Sequence, residues 1–277
     1  MIYKTEAGAN EIRHRYEQTL ASWPVPAEHL RIPTREGETF VLASGPEDAP
    51  PLVLLHGAGS NAIMWMGDIA TWSKHFRVHA VDVIGEPGLS APSRPPLDSA
   101  AYAHWLDDVL DHLDLDRVAI TGVSLGGWLA LDYTTRRPDR VERLALLCPG
   151  GVGRQKVGFL LKALLYKPFG QWGVRRSIQA VAGVDSTATP DVMEYLALIF
   201  THFQPRQDRL PVFPDDALRK LTMPVLVIVG GRDAMFDSFG TVRRMNHAVP
   251  HATVTLLPDV AHSILGQTQP ILDFLRS

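Results

Sequence analysis

Short, uninterrupted apolar runs recur along this chain and are separated by stretches with helical periodicity. The apolar runs cover residues 52–55, 78–81, 118–120, 144–147 and 225–229. The helical stretches between them cover residues 62–74, 99–114 and 125–136. Runs without a polar face are typical of strands that are buried on both faces of a parallel sheet. The alternation therefore predicts an α/β fold with a mostly parallel central sheet flanked by helices.

Two parts of the chain depart from this alternation. Residues 5–22 predict a short amphipathic helix that ends at Trp23-Pro24, and two extended segments follow at about 28–33 and 38–44. Residues 151–213 look helical throughout, and the strand pattern returns only at Pro224. We interpret residues 1–277 as a single domain in which residues 151–213 form an inserted helical cap.

The cap segment has two features that bear on a ligand. It holds eight Lys or Arg against four Asp or Glu. We interpret these charged residues as the solvated faces of helices, and attraction of anionic substrates is the less favoured interpretation. Its aromatic residues either line a pocket for an acyl or alcohol group or pack the cap onto the sheet. These aromatics are Phe159, Tyr166, Phe169, Trp172, Tyr195, Phe200 and Phe203.

Composition excludes several classes of protein. The formal charge of −3 argues against the strong basic field of a nucleic-acid-binding protein. A single Cys excludes an intramolecular disulfide framework and a thiolate cluster, and no H-E-x-x-H pair occurs, so we expect no metal. No run approaches 18 apolar residues and the start lacks an apolar signal core, so we expect no membrane partner and a cytoplasmic location. The sequence does not decide whether the protein is a monomer or a homo-oligomer.

The most informative motif is G-x-S-x-G, present as Gly122-x-Ser124-x-Gly126. A predicted strand precedes it and a predicted helix follows it, which is the context that this nucleophile motif requires. A sharp strand-to-helix turn strains the central residue, and the small flanking residues let the two arms approach each other. The motif predicts an exposed Ser124 hydroxyl at the carboxyl end of the sheet, with the backbone N–H of Leu125 beside it.

A lone serine is a poor nucleophile and needs a base that is oriented by an acceptor. Asp233 follows the strand at 225–229, and His262 follows the last predicted strand, at about 253–257. The three residues occur in the order Ser, acid, His, each just past a strand, where sheet loops converge. The spacing predicts Ser124 as the nucleophile, His262 as the base and Asp233 as its acceptor.

Other acidic and histidine residues compete for these roles. Asp237 lies four residues past Asp233 and reaches the same loop, whereas Asp259 is expected to face solvent. His104, His112, His247 and His251 lie on or near predicted helices and are interpreted as surface or capping residues. His56 is interpreted as a residue that structures its loop.

A dinucleotide-binding motif is a rival hypothesis for the first glycine-rich loop. Gly57-x-Gly59-x-x-Ala62 follows a strand, and Asp82 ends the next strand about twenty residues on. This motif normally opens the first strand–helix–strand unit of a chain, and it gives no role to the predicted nucleophile, base and acid. We therefore expect no cofactor.

Taken together, four sequence blocks resemble the α/β-hydrolase superfamily. They are His56-Gly57-Ala58-Gly59, Gly122-Val123-Ser124-Leu125-Gly126-Gly127, Gly230-Gly231-Arg232-Asp233 and Ala261-His262. The resemblance covers about residues 28–276 and implies acyl transfer by a Ser–His–Asp triad, as in serine carboxylesterases. It also implies that the backbone N–H of Ala58 joins that of Leu125 in an oxyanion hole. The segment 85–90 resembles a loop of the superfamily that usually reads P-G-x-G-x-S, from which Glu86 and Pro87 depart.

The predicted activity is hydrolysis of a small or medium carboxylic ester through an acyl-enzyme. C–C bond hydrolysis, lactone hydrolysis and cofactor-free haloperoxidase activity use the same residues and stay open as alternatives. A ligand receptor of the same fold that retains the triad is the alternative outside enzymes.

Overall fold

The computed structural model describes residues 2–158, 165–183 and 190–277, and its centre is one eight-stranded sheet. The strand order is β1-β2-β4-β3-β5-β6-β7-β8. The β1–β2 and β2–β4 pairs are antiparallel, and every later pair is parallel. The strands are β1 (Ala27–Thr34), β2 (Gly37–Ser44), β3 (Pro51–Leu55), β4 (Arg77–Val81), β5 (Val118–Val123), β6 (Val141–Leu147), β7 (Val225–Gly230) and β8 (Thr253–Leu257). The predicted sheet is confirmed.

Helices cover both faces of this sheet. In chain order they are α1 (Glu6–Leu20), α2 (Met66–Trp72), α3 (Ala101–His112), α4 (Leu125–Arg136), α5 (Gly170–Ala182), α6 (Pro190–His202), α7 (Asp215–Leu218), α8 (Ser238–Ala248) and α9 (Thr268–Arg276). Short 3-10 helices lie at Ala62–Trp65, Pro138–Arg140 and Lys167–Phe169. Among the described residues, no helix is both long and apolar enough to cross a bilayer.

Successive residues of the central strands pack into two separate cores. Val53 and Leu55 of β3 face a core shared with α3, α4 and α8, whereas Leu52 and Leu54 face a core shared with α1, α2 and α9. Side chains alternate between the two faces of a strand, so a strand with helices on both sides is apolar at nearly every position. His79 of β4 and Thr121 of β5 are buried polar exceptions. This two-sided burial explains the uninterrupted apolar runs.

The segment between β6 and β7 is only partly helical in the described residues. Helices α5 and α6 share a small apolar cluster formed by Ile178, Met193 and Ala197. Residues 203–214 contain no helix, in contrast to the sequence prediction, because the prolines at 205, 211 and 214 each remove a helical N–H donor. Phe159, one of the aromatic residues of the predicted cap, lies outside the described residues.

The amino-terminal segment is tied to the carboxyl end of α6. The N–H of Lys4 donates to His202 O over 2.8 Å, and the N–H of Gln204 donates to Ile2 O over 2.8 Å. The Lys4 ammonium donates to the carbonyl of Thr201 over 2.7 Å and so caps a carbonyl at the end of that helix. The first residues of the chain therefore hold one helix of the inserted segment.

Helix α1 is anchored by a buried hydrogen bond. The hydroxyl of Tyr16 donates to Asp82 Oδ1 over 2.9 Å, and both residues are fully buried. The same carboxylate accepts from the N–H groups of Ala62 and Leu89, each over 2.8 Å. Burial raises the pKa of Asp82 to about 6, and these three donors oppose that shift. The carboxylate thereby joins α1 to two loops at the edge of the sheet.

We expect Tyr16→Phe to lower the free energy of unfolding by about 1.5–3 kcal/mol, the range for hydrogen bonds to charged groups. Aromatic packing is kept in this variant, so the loss reports the hydroxyl alone. Urea unfolding at pH 7.5 measures it. A change below about 0.5 kcal/mol, as for an ordinary surface substitution, would contradict the anchoring role.

Candidate active site

Four neighbouring parallel strands deliver the predicted site residues to one edge of the sheet. Ser124 directly follows β5, Asp233 lies three residues past β7, and His262 lies five residues past β8; Cys148, which was not predicted as a site residue, follows β6. Because these strands are adjacent and parallel, their carboxyl ends and the following loops converge. Residues separated by more than a hundred positions in sequence thus share one site.

Ser124 lies on a strained bend between β5 and α4. Its backbone has φ 54° and ψ −108°, outside the regions that non-glycine residues normally adopt. The bend is held by hydrogen bonds from Ser124 N to Leu147 O (2.9 Å) and to Ser124 O from the N–H groups of Trp128 (3.0 Å) and Gly150 (3.1 Å). The surrounding backbone therefore fixes the position of the serine side chain.

The glycines of the motif are required by close backbone approach. A Cβ at Gly122 would lie 2.5 Å from the carbonyl oxygen of Gly126. A Cβ at Gly126 would overlap the carbonyl oxygen of Leu55 and lie 2.6 Å from that of His56. Side-chain carbons do not tolerate such distances, so only glycine lets the start of α4 pack against the ends of β3 and β5.

Asp233 and His262 form a buried pair. His262 Nδ1 lies 2.8 Å from Asp233 Oδ2, and Asp233 Oδ1 accepts from the N–H groups of Met235 (2.6 Å) and Phe236 (3.1 Å). Burial tends to raise the pKa of Asp233, but the hydrogen bond and charge of His262 and the two N–H donors outweigh it and lower that pKa. The carboxylate therefore stays ionised, accepts the Nδ1 proton and leaves Nε2 with its lone pair.

The serine and the histidine are both nearly buried but are not hydrogen-bonded to each other. Ser124 is 6% exposed and His262 is 9% exposed. Within the described residues, the Ser124 hydroxyl forms no hydrogen bond with the ring, and such bonds are often long in enzymes without substrate. The structure thus pairs the acid with the histidine and places all three residues at the same edge of the sheet.

His56 fixes the orientation of the loop that follows β3. The N–H of Val83 donates to His56 Nε2 over 2.9 Å, so the ring proton is on Nδ1, which lies 2.8 Å from Gly57 O. Burial lowers the pKa of His56 to about 4, so the ring is neutral near pH 7. The carbonyl of Gly57 and the N–H of Ala58 belong to one planar peptide, so this bond also sets the direction of that N–H.

Two backbone donors are available at this edge of the sheet. In the described part of the chain, neither Ala58 N–H nor Leu125 N–H donates a hydrogen bond to a protein group. The Leu125 N–H is at the start of α4, where helical N–H groups lack intrahelical acceptors. A Cβ at Gly57 would lie 3.6 Å from Ser124 Cβ, so the loop that carries Ala58 contacts the serine.

The competing acids have other partners. Asp237 caps the start of α8, where its Oδ1 accepts from Gly240 N over 3.0 Å. Asp259 forms an exposed ion pair with Arg232, as expected for a residue that faces solvent. Asp82, the acid of the rival dinucleotide motif, is fully buried and occupied by three protein donors, so it is not free to bind a ribose.

One cluster in the described residues has the side chains of a metal site. Ligand atoms of Cys148, Asp233 and His262 all lie within 4.8 Å of one another. Burial, followed by the negative charge of Asp233, raises the pKa of the Cys148 thiol, so the thiolate that a metal needs is disfavoured. The carboxylate and imidazole are already paired, and this donor set fits a hydrogen-bonded pair better than a metal ion.

His247 and His251 are four residues apart, a spacing that can place two ligands on one helical face. Helix α8 ends at Ala248, so the two histidines do not share a turn of helix. His251 Nε2 lies 3.0 Å from Met223 O. The spacing therefore does not create a metal site in the structure.

One buried acid near the site had no role assigned from sequence. Glu86, which departs from the usual loop pattern, is 2% exposed and its Oε2 accepts from Gly59 N over 2.6 Å. The departure of Glu86 from the usual loop pattern was the sequence signal for this residue. The contact with Gly59 could not be predicted from that signal, because the two residues are 27 positions apart.

The fold and the arrangement of these side chains define a class of hydrolase, and sequence comparison agrees. A model of the alpha/beta hydrolase family matches residues 52–275. The chain belongs to this family.

Relatives from Bacillus subtilis match nearly the whole chain. An uncharacterized carboxylesterase named nap is 33% identical over 274 residues, which covers 96% of this chain and 91% of the relative. The crystal structure of carboxylesterase CesB (YbfK) has a TM-score of 0.84 at 30% identity and covers 98% of this chain and 96% of its own. The crystal structure of naproxen esterase (carboxylesterase NP) has a TM-score of 0.83 at 31% identity and covers 99% of this chain and 98% of its own.

We expect Gly126→Ala to destabilise the protein by more than about 4 kcal/mol, because the new methyl group overlaps backbone that cannot shift without moving β3. The matched control is Gly67→Ala in α2, where a Cβ meets nothing within 4 Å. The control is expected to be neutral or more stable by about 0.4–1 kcal/mol. Thermal unfolding compares the two. Equal melting temperatures would show that the close approach at Gly126 is not required.

Proposed function

We propose that this protein hydrolyses small or medium carboxylic esters through an acyl-enzyme on Ser124. The observation that carries the proposal is the strained serine at the end of β5, at the same sheet edge as the buried Asp233–His262 pair. Strain of this kind is characteristic of functional positions, where surrounding structure holds an unfavourable backbone. The carboxylesterase names of the Bacillus subtilis relatives support an ester substrate.

Each described group has a role in this reaction. The Ser124 oxygen attacks the ester carbonyl while His262 Nε2 removes its proton, and the tetrahedral oxyanion accepts hydrogen bonds from the N–H groups of Ala58 and Leu125. His262 then protonates the departing alcohol. Water, deprotonated by the same nitrogen, attacks the acyl-enzyme, and its proton returns to Ser124 when the carboxylic acid leaves.

Asp233 keeps the imidazole in the useful tautomer. Its Oδ2 holds the Nδ1 proton, so Nε2 is the nitrogen that can accept one. The two N–H donors on its other oxygen keep the carboxylate ionised and fixed in direction. The negative charge stabilises the imidazolium that forms during the attack.

We also assign residues 151–213 as a cap of this single domain, because the segment contacts the loops that follow β3, β7 and β8. A Cβ at Gly59 would lie 3.4 Å from Phe200 Cζ of α6. The N–H of Ser263, next to the histidine, donates to Ala182 O over 2.8 Å. The N–H of Lys156 donates to Met235 O over 2.7 Å. A segment in these positions limits the size of ester that reaches the serine.

We expect steady hydrolysis of p-nitrophenyl acetate and butyrate, and a fall in rate by about 10⁴-fold or more in Ser124→Ala, because the variant lacks the nucleophile. Stability should be retained, and a fluorophosphonate probe should label the wild type only. Absence of turnover across esters of graded acyl length, together with tight binding of one ligand, would favour a receptor. Activity on lactones or vinylogous diketones alone would replace the ester assignment.

We expect Asp233→Asn to lower kcat by about 10³- to 10⁴-fold with little change in KM, since the amide favours the wrong tautomer of the histidine. Asp237→Asn is the matched control, because Asp237 lies on the same loop but caps a helix instead. Its kcat should stay within about twofold, as expected for a group that makes no transition-state contact. Near-wild-type turnover by Asp233→Asn would assign the orienting role to another group.

A further inference from the structure

Glu86 places a buried carboxyl group against the loop that carries the proposed oxyanion donor. It lies in the connection between β4 and α3, and its Oε2 accepts from Gly59 N over 2.6 Å. The connection is itself fixed: Asn61 Nδ2 donates to Pro87 O over 2.8 Å, and Arg94 Nε donates to Gly85 O over 2.9 Å. The carboxyl group is therefore a rigid support for the adjacent loop.

The two peptides on either side of Ala58 are held from opposite ends. The preceding peptide, which contains the Ala58 N–H, is fixed by His56 through the carbonyl of Gly57. The following peptide, which contains the N–H of Gly59, is fixed by Glu86. Gly59 has φ +66°, a conformation open to glycine, which has the greatest backbone freedom. Without an acceptor for its N–H, this peptide is the flexible joint of the loop.

We propose that Glu86 is a positioning residue for the oxyanion loop: its carboxylate holds the Gly59 N–H so that the neighbouring Ala58 N–H points at the reacting carbonyl. The inference rests on the proposed function, since it assigns a role within the same site. Glu86 acts through the loop and does not itself touch the substrate.

The surroundings of Glu86 place its ionisation in an accessible range of pH. Burial raises the pKa of Glu86 to about 7, opposed first by the hydrogen bond from Gly59 and then by the positive charges of Arg94 and Arg206. The phenols of Tyr102 and Tyr3 also face this charge, and burial raises the pKa of both, so they are neutral near pH 7. The two guanidinium groups are thus the countercharges of the carboxylate.

The strength of the support therefore depends on pH. An ionised carboxylate accepts a charge-assisted hydrogen bond, which is roughly twice as strong as a neutral one. As pH rises through about 7, the acceptor of the Gly59 N–H changes progressively from a neutral carboxylic acid to a carboxylate. A glutamine at this position reproduces the shape and the neutral state at every pH.

The test compares the wild type with Glu86→Gln on a neutral ester between pH 5.5 and 8.5. We expect the ratio of their kcat values to be close to one at pH 5.5 and to rise about threefold to tenfold above pH 7.5, following the stronger charged bond. KM should change little, because loop position matters for the transition state.

Two further variants separate positioning from general stability. Glu86→Ala should lower kcat about tenfold to a hundredfold at every pH, because the Gly59 N–H loses its acceptor. Asp132→Asn is the control: this buried carboxyl pairs with Arg136 and lies about 12 Å along α4 from Ser124, from the helical rise per residue. Its kcat ratio to the wild type should not vary with pH.

Thermal unfolding of each variant measures its stability, and Glu86→Gln keeps the test intact if Glu86→Ala does not fold.

Affinity for a trifluoromethyl ketone, whose adduct with Ser124 places an oxyanion between the two N–H donors, should fall in parallel with kcat/KM in both Glu86 variants. A kcat ratio for Glu86→Gln that is constant with pH would overturn the inference, even if the variant were less active. If the wild type hydrolyses esters and the ratio is constant with pH, only the positioning role is rejected. An inactive wild type that fluorophosphonate does not label rejects the proposed function instead.

Discussion

The bend at Ser124 is the constraint on which the site depends. It exists because the start of α4 crosses the ends of β3 and β5 so closely that Gly122 and Gly126 have no room for a side chain. The cost of the positive φ at Ser124 is offset by the packing of α4 over the sheet, where Trp128 and Leu129 are buried. The packed core thus holds Ser124 in a strained backbone conformation at the carboxyl end of β5.

Three buried carboxyl groups near this edge are used in three different ways. Asp82 accepts three hydrogen bonds and anchors α1, so its role is to join elements of the fold. Asp233 is paired with His262 and is kept ionised by the donors around it. Among the described residues, the Gly59 N–H is the hydrogen-bond donor to Glu86. This bond and the nearby guanidinium groups offset only part of the effect of burial, which raises the pKa of Glu86 to about 7. Asp82 and Asp233 each have three hydrogen-bond partners, but only Asp233 faces the charge of an imidazole, and only its pKa is lowered.

The segment between β6 and β7 is connected to the amino-terminal residues as well as to the loop that follows β3. Backbone hydrogen bonds from Lys4 and Gln204 fasten the amino terminus to the end of α6, and Phe200 of the same helix lies against Gly59. Tyr195, five residues earlier, accepts a hydrogen bond from Asn61 Nδ2 over 2.8 Å. Helix α6 therefore contacts both the amino-terminal segment and the loop that follows β3.

Sequence alone determined the order of the strands and of the helices that flank them, because strands buried on both faces are almost entirely apolar. It also determined the elbow, since its glycines and Ser124 are adjacent in the chain, and it placed Asp233 and His262 after the right strands. It did not determine that residues 203–214 lack helix, or that Glu86 reaches Gly59. Contacts between distant positions depend on where separate loops meet in space, and only the tertiary structure brings those loops together.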